Sequence, residues 1–487
     1  RVLNLGSHKT LHPPANQPTH AQVARAVEWH RARNPGVHIL ISKKDAAGAF
    51  RLLWLDPNDV ELFAADFPWS PANMPGEQAD LIALADVLES LELGKGVTVL
   101  YLVSSFGFAG SPGEWKVWGA GAEFFHRAHR PAQGARDGAT PFESRALVDD
   151  AVLVEPLLGL RPWISAACYE AGARLLLGRD VINKDKDALE GSFQTAKTAW
   201  GLEFDTAVEA RTGQGECRIP DLRIQKGATL LTDSVLDPGC RAVSHRTVQV
   251  VRGTAGSWTA VVKGLRNELR AADRMMGGSD PSGPACPSKV RGHNGQPREA
   301  THEESEHAWQ DWWQLIETLR WITSRPQTWS TKFQGGIREL LPVRERMALP
   351  GGLQAIHFVS SDATLEWIGA VDWTGGFACR VHIGGLLATL LEVWTRHFAE
   401  ADWQWIHIGE MLSYLALASL RAPSWTGGLV VYGGDNQVVQ AWIRLRTAST
   451  RAGRYLIRVL NSLEMRYRFE TVEPAWYRTN HNTVPDF

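Results

Sequence analysis

Two adjacent aspartates, Asp149 and Asp150, stand between two short β-prone runs, Ala146-Leu147-Val148 and Ala151-Val152-Leu153-Val154. That spacing predicts a hairpin with the carboxylates at its tip. Like charges held side by side repel, and partial burial adds a desolvation cost. A bound divalent cation offsets both costs. For the tetrapeptide alone, a solvated Asp-Asp surface turn is the competing reading.

The rest of the chain supplies partners for that tip. Upstream, the apolar strand His38-Ile39-Leu40-Ile41 runs through Ser42-Lys43-Lys44 into Asp45, followed by small residues and the aromatic Phe50. Between the two lies the strand Tyr101-Leu102-Val103, then a Gly/Ser/Pro loop in which Ser111-Pro112 is placed to start a helix. In this order the three segments resemble the palm of a reverse transcriptase: Asp with a small run and an aromatic, a Gly-x-x-x-Ser-Pro loop, and an x-x-Asp-Asp hairpin. The resemblance implies that Asp45 and Asp149 hold metal, with Asp150 as the neighbouring acid. It implies that Phe50 is the steric gate against a ribose 2′-hydroxyl, and that Gly107, Ser111 and Pro112 shape the nucleotide and template pocket. Lys186, in Asn183-Lys184-Asp185-Lys186, matches the basic segment after the hairpin, and Trp200-Gly201-Leu202 the primer-gripping region. Two Mg²⁺ ions roughly 4 Å apart serve both oxygens of an in-line displacement. Carboxylates suit Mg²⁺, with Mn²⁺ as an alternative. Implied partners are an RNA template, a DNA primer and deoxynucleoside triphosphates. The pattern departs from the family at Leu147, where an aromatic is usual, and at Phe106, where a polar residue is usual.

A second acidic series occupies the last third. Strands end in Ser361-Asp362 and in Gly434-Asp435, Glu410 opens an apolar helical run, and Asp486 stands near the C-terminal end. The order strand-Asp, helix-Glu, strand-Asp, loop-Asp on a β-β-β-α-β-α pattern resembles the ribonuclease H family. Asp362, Glu410, Asp435 and Asp486 then map to its metal-holding acids, acting on the RNA strand of an RNA–DNA hybrid. His481 is a candidate for orienting water or releasing product, against the reading of a surface histidine. Polymerase followed by nuclease is the order in retroelement polyproteins, and His307-Ala308-Trp309-Gln310-Asp311-Trp312-Trp313 resembles the tyrosine-recombinase retrotransposons.

These readings imply an α+β multidomain chain: partial fingers and palm over 1–205, a thumb-like part over 206–275, a linker and connector over 276–350, and a ribonuclease H-like mixed-sheet domain over 351–487. Thr19 is placed to cap a helix that Pro35-Gly36 ends, a second helix is expected over Ala260 to Met276, and His302 to His307 reads as solvated linker. Only 44 residues precede Asp45, and Phe487 follows Asp486 directly, so fingers and nuclease are both expected to be clipped, with activity impaired.

With 51 Lys and Arg against 53 Asp and Glu, the formal charge of −2 shows no overall basic excess. Nucleic-acid contact must then be local, with Arg218 to Arg274 as one candidate stretch. Five cysteines without Cys-x-x-Cys spacing, no leader pattern and no long apolar run point to an intracellular protein, cytoplasmic or nuclear, without a membrane partner. The 21 tryptophans are read mainly as packing. A noncatalytic nucleic-acid-binding remnant of the same polyprotein is the alternative to an active enzyme.

Overall fold

The computed structural model describes residues 12–58, 60–68, 96–100, 102–104, 110–130, 140–207, 215–276, 285, 287, 289–291, 297–324, 335–349, 355–385, 389, 405–448 and 450–476. Gly107, His481 and Asp486 lie outside them. Helices and sheets are mixed throughout, and the chain divides into two compact units, Arg1–Trp200 and Gly201–Phe487. Among the described residues no helix is long and apolar enough to cross a membrane.

The first unit is built on a three-stranded antiparallel sheet of order β1-β3-β2: β1 (Ile39–Asp45), β2 (Ser144–Leu147) and β3 (Asp150–Pro156). Helix α1 (His20–Arg33) packs on β3, its start fixed where Gln22 Oε1 accepts from the Thr19 N–H at 3.0 Å. Helix α2 (Ser111–Ala128) begins at the Ser-Pro pair, as the sequence predicts, and runs alongside α3 (Arg161–Leu177). Ala122, Leu153, Tyr169 and Ala173 form the core between these helices and the sheet. Apolar residues on both faces of β3 follow from this burial: positions 151 to 156 are all buried.

A polar network sits inside this unit. The fully buried Arg161 donates through Nε to Glu155 Oε2 at 2.6 Å, and through Nη2 to the Pro141 carbonyl at 2.8 Å. Ser165 donates to Glu155 Oε1 at 2.9 Å and also lies 2.9 Å from His126 Nε2, while His126 Nδ1 meets Ser144 Oγ at 2.9 Å. Burial, above all, holds the His126 pKa down at about 3; the Ser165 bond opposes this and the charge of Arg161 adds to it. A folded pKa below the ordinary 6.5 means that the unfolded chain takes up the proton first. The stability contributed is therefore present above about pH 6.5 and is lost as pH falls towards 3. From pH 7 to pH 5 we expect this histidine alone to remove about 2 kcal/mol. Urea titrations of wild type and His126→Gln at both pH values check this, and the pH-dependent loss should be smaller in the variant.

The second unit begins with the antiparallel pair β4 (Leu202–Asp205) and β5 (Glu216–Arg218), followed by α4 (His245–Trp258), α5 (Leu265–Met276) and α6 (His302–Thr323). The single helix expected over 260–276 is instead the tail of a helix pair. Its break falls at 259–264, where Thr259 caps α4 and the β-branched Val261-Val262 precede Gly264. The stretch 302–307 is helical and not a linker. Thr301 and Glu304 form a capping box, with the Thr301 N–H donating to Glu304 Oε2 at 2.8 Å and the Glu304 N–H to Thr301 Oγ1 at 3.2 Å.

A five-stranded mixed sheet closes the unit, in order β8-β7-β6-β9-β10. β6 (Ile356–Ala363), β7 (Trp367–Asp372) and β8 (Phe377–His382) form an antiparallel meander; β9 (Leu429–Gly434) and β10 (Glu470–Trp476) are parallel to β6. Parallel neighbours need crossovers, which α7 (Trp405–Arg421), α8 (Gln437–Leu445) and α9 (Arg451–Tyr467) supply. Val359, Tyr414, Trp425, Val430, Tyr432 and Trp442 lie in the core.

Ion pairs cross the boundaries expected at 275 and 350. Glu470 on β10 pairs with Lys263 and, at 2.9 Å, with Arg346; Glu268 on α5 pairs with Arg458 on α9 at 2.7 Å; Asp311 on α6 meets Arg454 at 3.1 Å. Burial opposes the charge of Glu470, but the two cations outweigh it and hold its pKa at about 2. These pairs all lie within the compact unit Gly201–Phe487.

Candidate metal centre and palm acids

Three of the four acids of the last third converge. Asp362 lies near the end of β6, Glu410 in the second turn of α7, and Asp435 immediately after β9. One ligand oxygen from each lies within 4.8 Å of the others. Among the described residues no other group of three potential ligands meets that spacing. The local fold explains the meeting. β6 and β9 are parallel neighbours, so Asp362 and Asp435 emerge at the same end of the sheet. Ser413 Oγ donates to the Asp362 carbonyl at 2.9 Å, and Ser361 Oγ to the Glu410 carbonyl at 3.0 Å, which locks α7 against β6.

Glu410 carries the strongest electrostatic signature of the centre. It is 2 % exposed, and its Oε2 is buried without a hydrogen-bond partner. Burial first, and then the charges of Asp435 and Asp362, push its pKa up to about 8, against a lowering hydrogen bond from Asn436. A buried carboxylate with one oxygen unpartnered, clustered with two further acids, is a costly arrangement for a fold to keep without a cation. The donor set, all carboxylate oxygens, suits Mg²⁺ or Mn²⁺.

Sequence reasoning missed two residues here. Asn436 Nδ2 lies 3.0 Å from Glu410 Oε1 and 2.7 Å from His407 Nδ1, while its Oδ1 caps α8 by accepting from the Val438 N–H at 3.0 Å. Asn436 thereby orients Glu410 from the start of the next helix. The signal was present as Asp435-Asn436 at a strand end, an N-cap dipeptide. His407 stands three residues before Glu410 on α7, the spacing of side chains that share a helix face.

In the first unit, Asp45 and Asp150 are directly opposite on β1 and β3, and the Ala46 N–H donates to the Asp149 carbonyl at 2.8 Å. The three carboxylates thus belong to one neighbourhood. The hairpin tip, however, is Val148-Asp149, since Asp150 is already paired with Leu147 in the ladder. Val148 takes the left-handed conformation, φ 52°, unusual for a β-branched residue. Trp115 Nε1 donates to its carbonyl at 2.6 Å and holds the turn there.

The oxygens of Asp45 are engaged by cation and amide. Lys186 Nζ donates to Oδ1 at 2.7 Å and Asn183 Nδ2 to Oδ2 at 3.1 Å. Both come from the start of the short helix Lys184–Glu190, which Asn183 caps. The Asp45 bond raises the Lys186 pKa. Burial raises that of Asp150, with Lys43 3.9 Å away acting to lower it and the neighbouring aspartates raising it further. Lys44 pairs with Glu170 at 2.7 Å and Asp187 at 2.6 Å, and Lys43 with Glu190 at 2.6 Å, so both lysines reach acids of the helix Lys184–Glu190.

Phe50 is 5 % exposed and packs edge-on against Trp115, with ring centroids 6.2 Å apart. It belongs to a buried cluster with Ala49 and Trp115. Ser111 is fully buried, 2.6 Å from Ser104 Oγ, and Pro112 occupies the first turn of α2.

No protein-family model matches the chain, and no curated protein does. A solved foamy viral protease-reverse transcriptase, in complex with double-stranded DNA, is similar with a TM-score of 0.34 and 10% identity, over 92% of this chain and 59% of that one. The chain thus spans about three-fifths of the length of that protein. The functional reading rests on its own side chains.

Proposed function

We propose that the second unit is a divalent-metal-dependent ribonuclease of the ribonuclease H type, and that the chain is a reverse transcriptase–ribonuclease H portion of a retroelement polyprotein. The convergence of Asp362, Glu410 and Asp435, with one buried oxygen of Glu410 unpartnered, carries this reading. When bound, a cation pair supplies Lewis acidity at the scissile phosphate and a lowered pKa for the attacking water. The residues hold that charge in place. Asp362 and Asp435 would offer oxygens from adjacent strand ends and Glu410 would offer one from the helix, while Asn436 Nδ2 holds Glu410 Oε1 by a hydrogen bond at 3.0 Å. The implied fourth acid, Asp486, remains a proposal. The substrate is the RNA strand of an RNA–DNA hybrid. The test is cleavage of a labelled hybrid by the full chain with Mg²⁺ and with EDTA.

For the first unit, polymerisation of deoxynucleotides on an RNA template from a DNA primer is supported by the neighbourhood of Asp45, Asp149 and Asp150. One observation favours a second reading, a noncatalytic nucleic-acid-binding palm. Lys186 and Asn183 satisfy both oxygens of Asp45, and an ammonium there does the neutralising that a metal would do. Primer extension separates the two: incorporation by wild type and its loss in Asp149→Asn supports the polymerase, and binding without incorporation in both supports the remnant.

A further inference from the structure

We propose that the sheet face carrying Asp362 is a track for one nucleic-acid strand, with Arg380 holding a phosphate and Trp373 stacking on a base or sugar; this rests on the nuclease reading above. The register defines the face. Asp362 pairs with Gly369, and Gly369 with Arg380, so these three form one row across β6, β7 and β8. The next row on that face is Trp367 with His382, and on the other side come Ser360, Val371 and Ala378. Strand spacing puts the Arg380 backbone roughly 10 Å from that of Asp362, within a long side chain's reach of a phosphate adjoining the one at the metal centre.

Three features suit a nucleic-acid strand better than a protein partner. Arg380, an exposed residue, has its guanidinium 4.1 Å over the Trp367 ring, which also meets His382 at 4.5 Å between centroids. An arginine stacked in this way keeps its planar donor edge oriented for phosphate. Trp373 is 50 % exposed, yet its indole N–H is fixed by a 2.9 Å bond to Ser360 Oγ, two residues before Asp362. Phe358, 49 % exposed, continues the aromatic surface on the same strand. Lastly, the charges within the row are ordered: Arg380 on the edge strand and Asp362 at the metal centre. A phosphodiester strand matches both ends of that gradient, one directly and one through a cation.

The test uses the full chain, a fluorescent RNA–DNA hybrid, and the variants Arg380→Gln, Arg380→Lys and Trp373→Ala. Stacking is worth about 1–3 kcal/mol per base, so Trp373→Ala should weaken hybrid binding by roughly 5- to 150-fold. Arg380→Gln should weaken it about tenfold and reduce the slope of log K against log salt by about one, and Arg380→Lys should recover the slope. KM should rise in step while kcat stays within about threefold of wild type. Near-unchanged melting of Trp373→Phe, with binding retained, separates stacking from folding. If wild type cleaves and both Arg380→Gln and Trp373→Ala bind hybrid as wild type does, the track is refuted and the nuclease reading stands. If wild type binds without cleaving and the variants still lose binding, the track stands and the nuclease reading fails.

Discussion

Asp362→Asn and Glu410→Gln are each expected to lower metal-dependent cleavage of the RNA strand by roughly a thousandfold or more, since both remove an oxygen from a site whose chemistry depends on cation charge. Folding should survive. An amide of the same shape removes a carboxyl that burial and its acidic neighbours penalise once ionised, so the Glu410 variant should melt at or above the wild-type temperature above pH 8 without metal. The pH dependence follows from the Glu410 pKa of about 8 in the metal-free centre. A folded carboxyl pKa raised above the ordinary 4.5 means that the folded state holds the proton more tightly. Its contribution is therefore fully present below pH 4.5 and is lost as pH rises through 8. A cation must displace that proton, so apparent Mg²⁺ affinity should improve up to about tenfold per pH unit between 6 and 8 and then level off. Chelation should abolish cleavage and Mn²⁺ should restore it.

Breaking the buried pair of the first unit should have the largest effect on stability. Arg161→Leu leaves Glu155 fully buried with hydrogen bonds from Ser165 and from the Glu143 N–H, which donates at 3.0 Å. Removing one partner of such a pair costs about 3–5 kcal/mol. Burial already pushes the Glu155 pKa up to about 7, against the lowering effect of Arg161. Without the arginine that carboxyl should be protonated at neutral pH. Urea titration of Arg161→Leu should show the loss, and the double variant Arg161→Leu/Glu155→Leu should recover a large part of it.

Much of the sheet framework was legible because strand burial leaves a plain record. Ile39–Ile41, Phe358–Val359 and Leu429–Tyr432 are β-prone runs that end in acids, and each is a strand at that place. The meeting of Asp362, Glu410 and Asp435 is what the resemblance to the ribonuclease H family implies. What escaped was set by short-range chemistry or by contacts between distant segments. The hairpin tip moved one residue because Val148 accepts a left-handed φ that propensity argues against. The start of α6 was hidden in an acidic stretch because Glu303 to Glu306 resemble solvated linker until the Thr301–Glu304 box is seen. Lys186 reaching Asp45 across 141 positions of chain has no local signature at all. Nor does the burial of Phe50 under Trp115.

A Mn²⁺ titration of the full chain followed by electron paramagnetic resonance tests the metal centre most directly. The account predicts a tight site that persists in Asp45→Asn and disappears in both Asp362→Asn and Glu410→Gln. Equal Mn²⁺ binding by wild type and the two triad variants would contradict it.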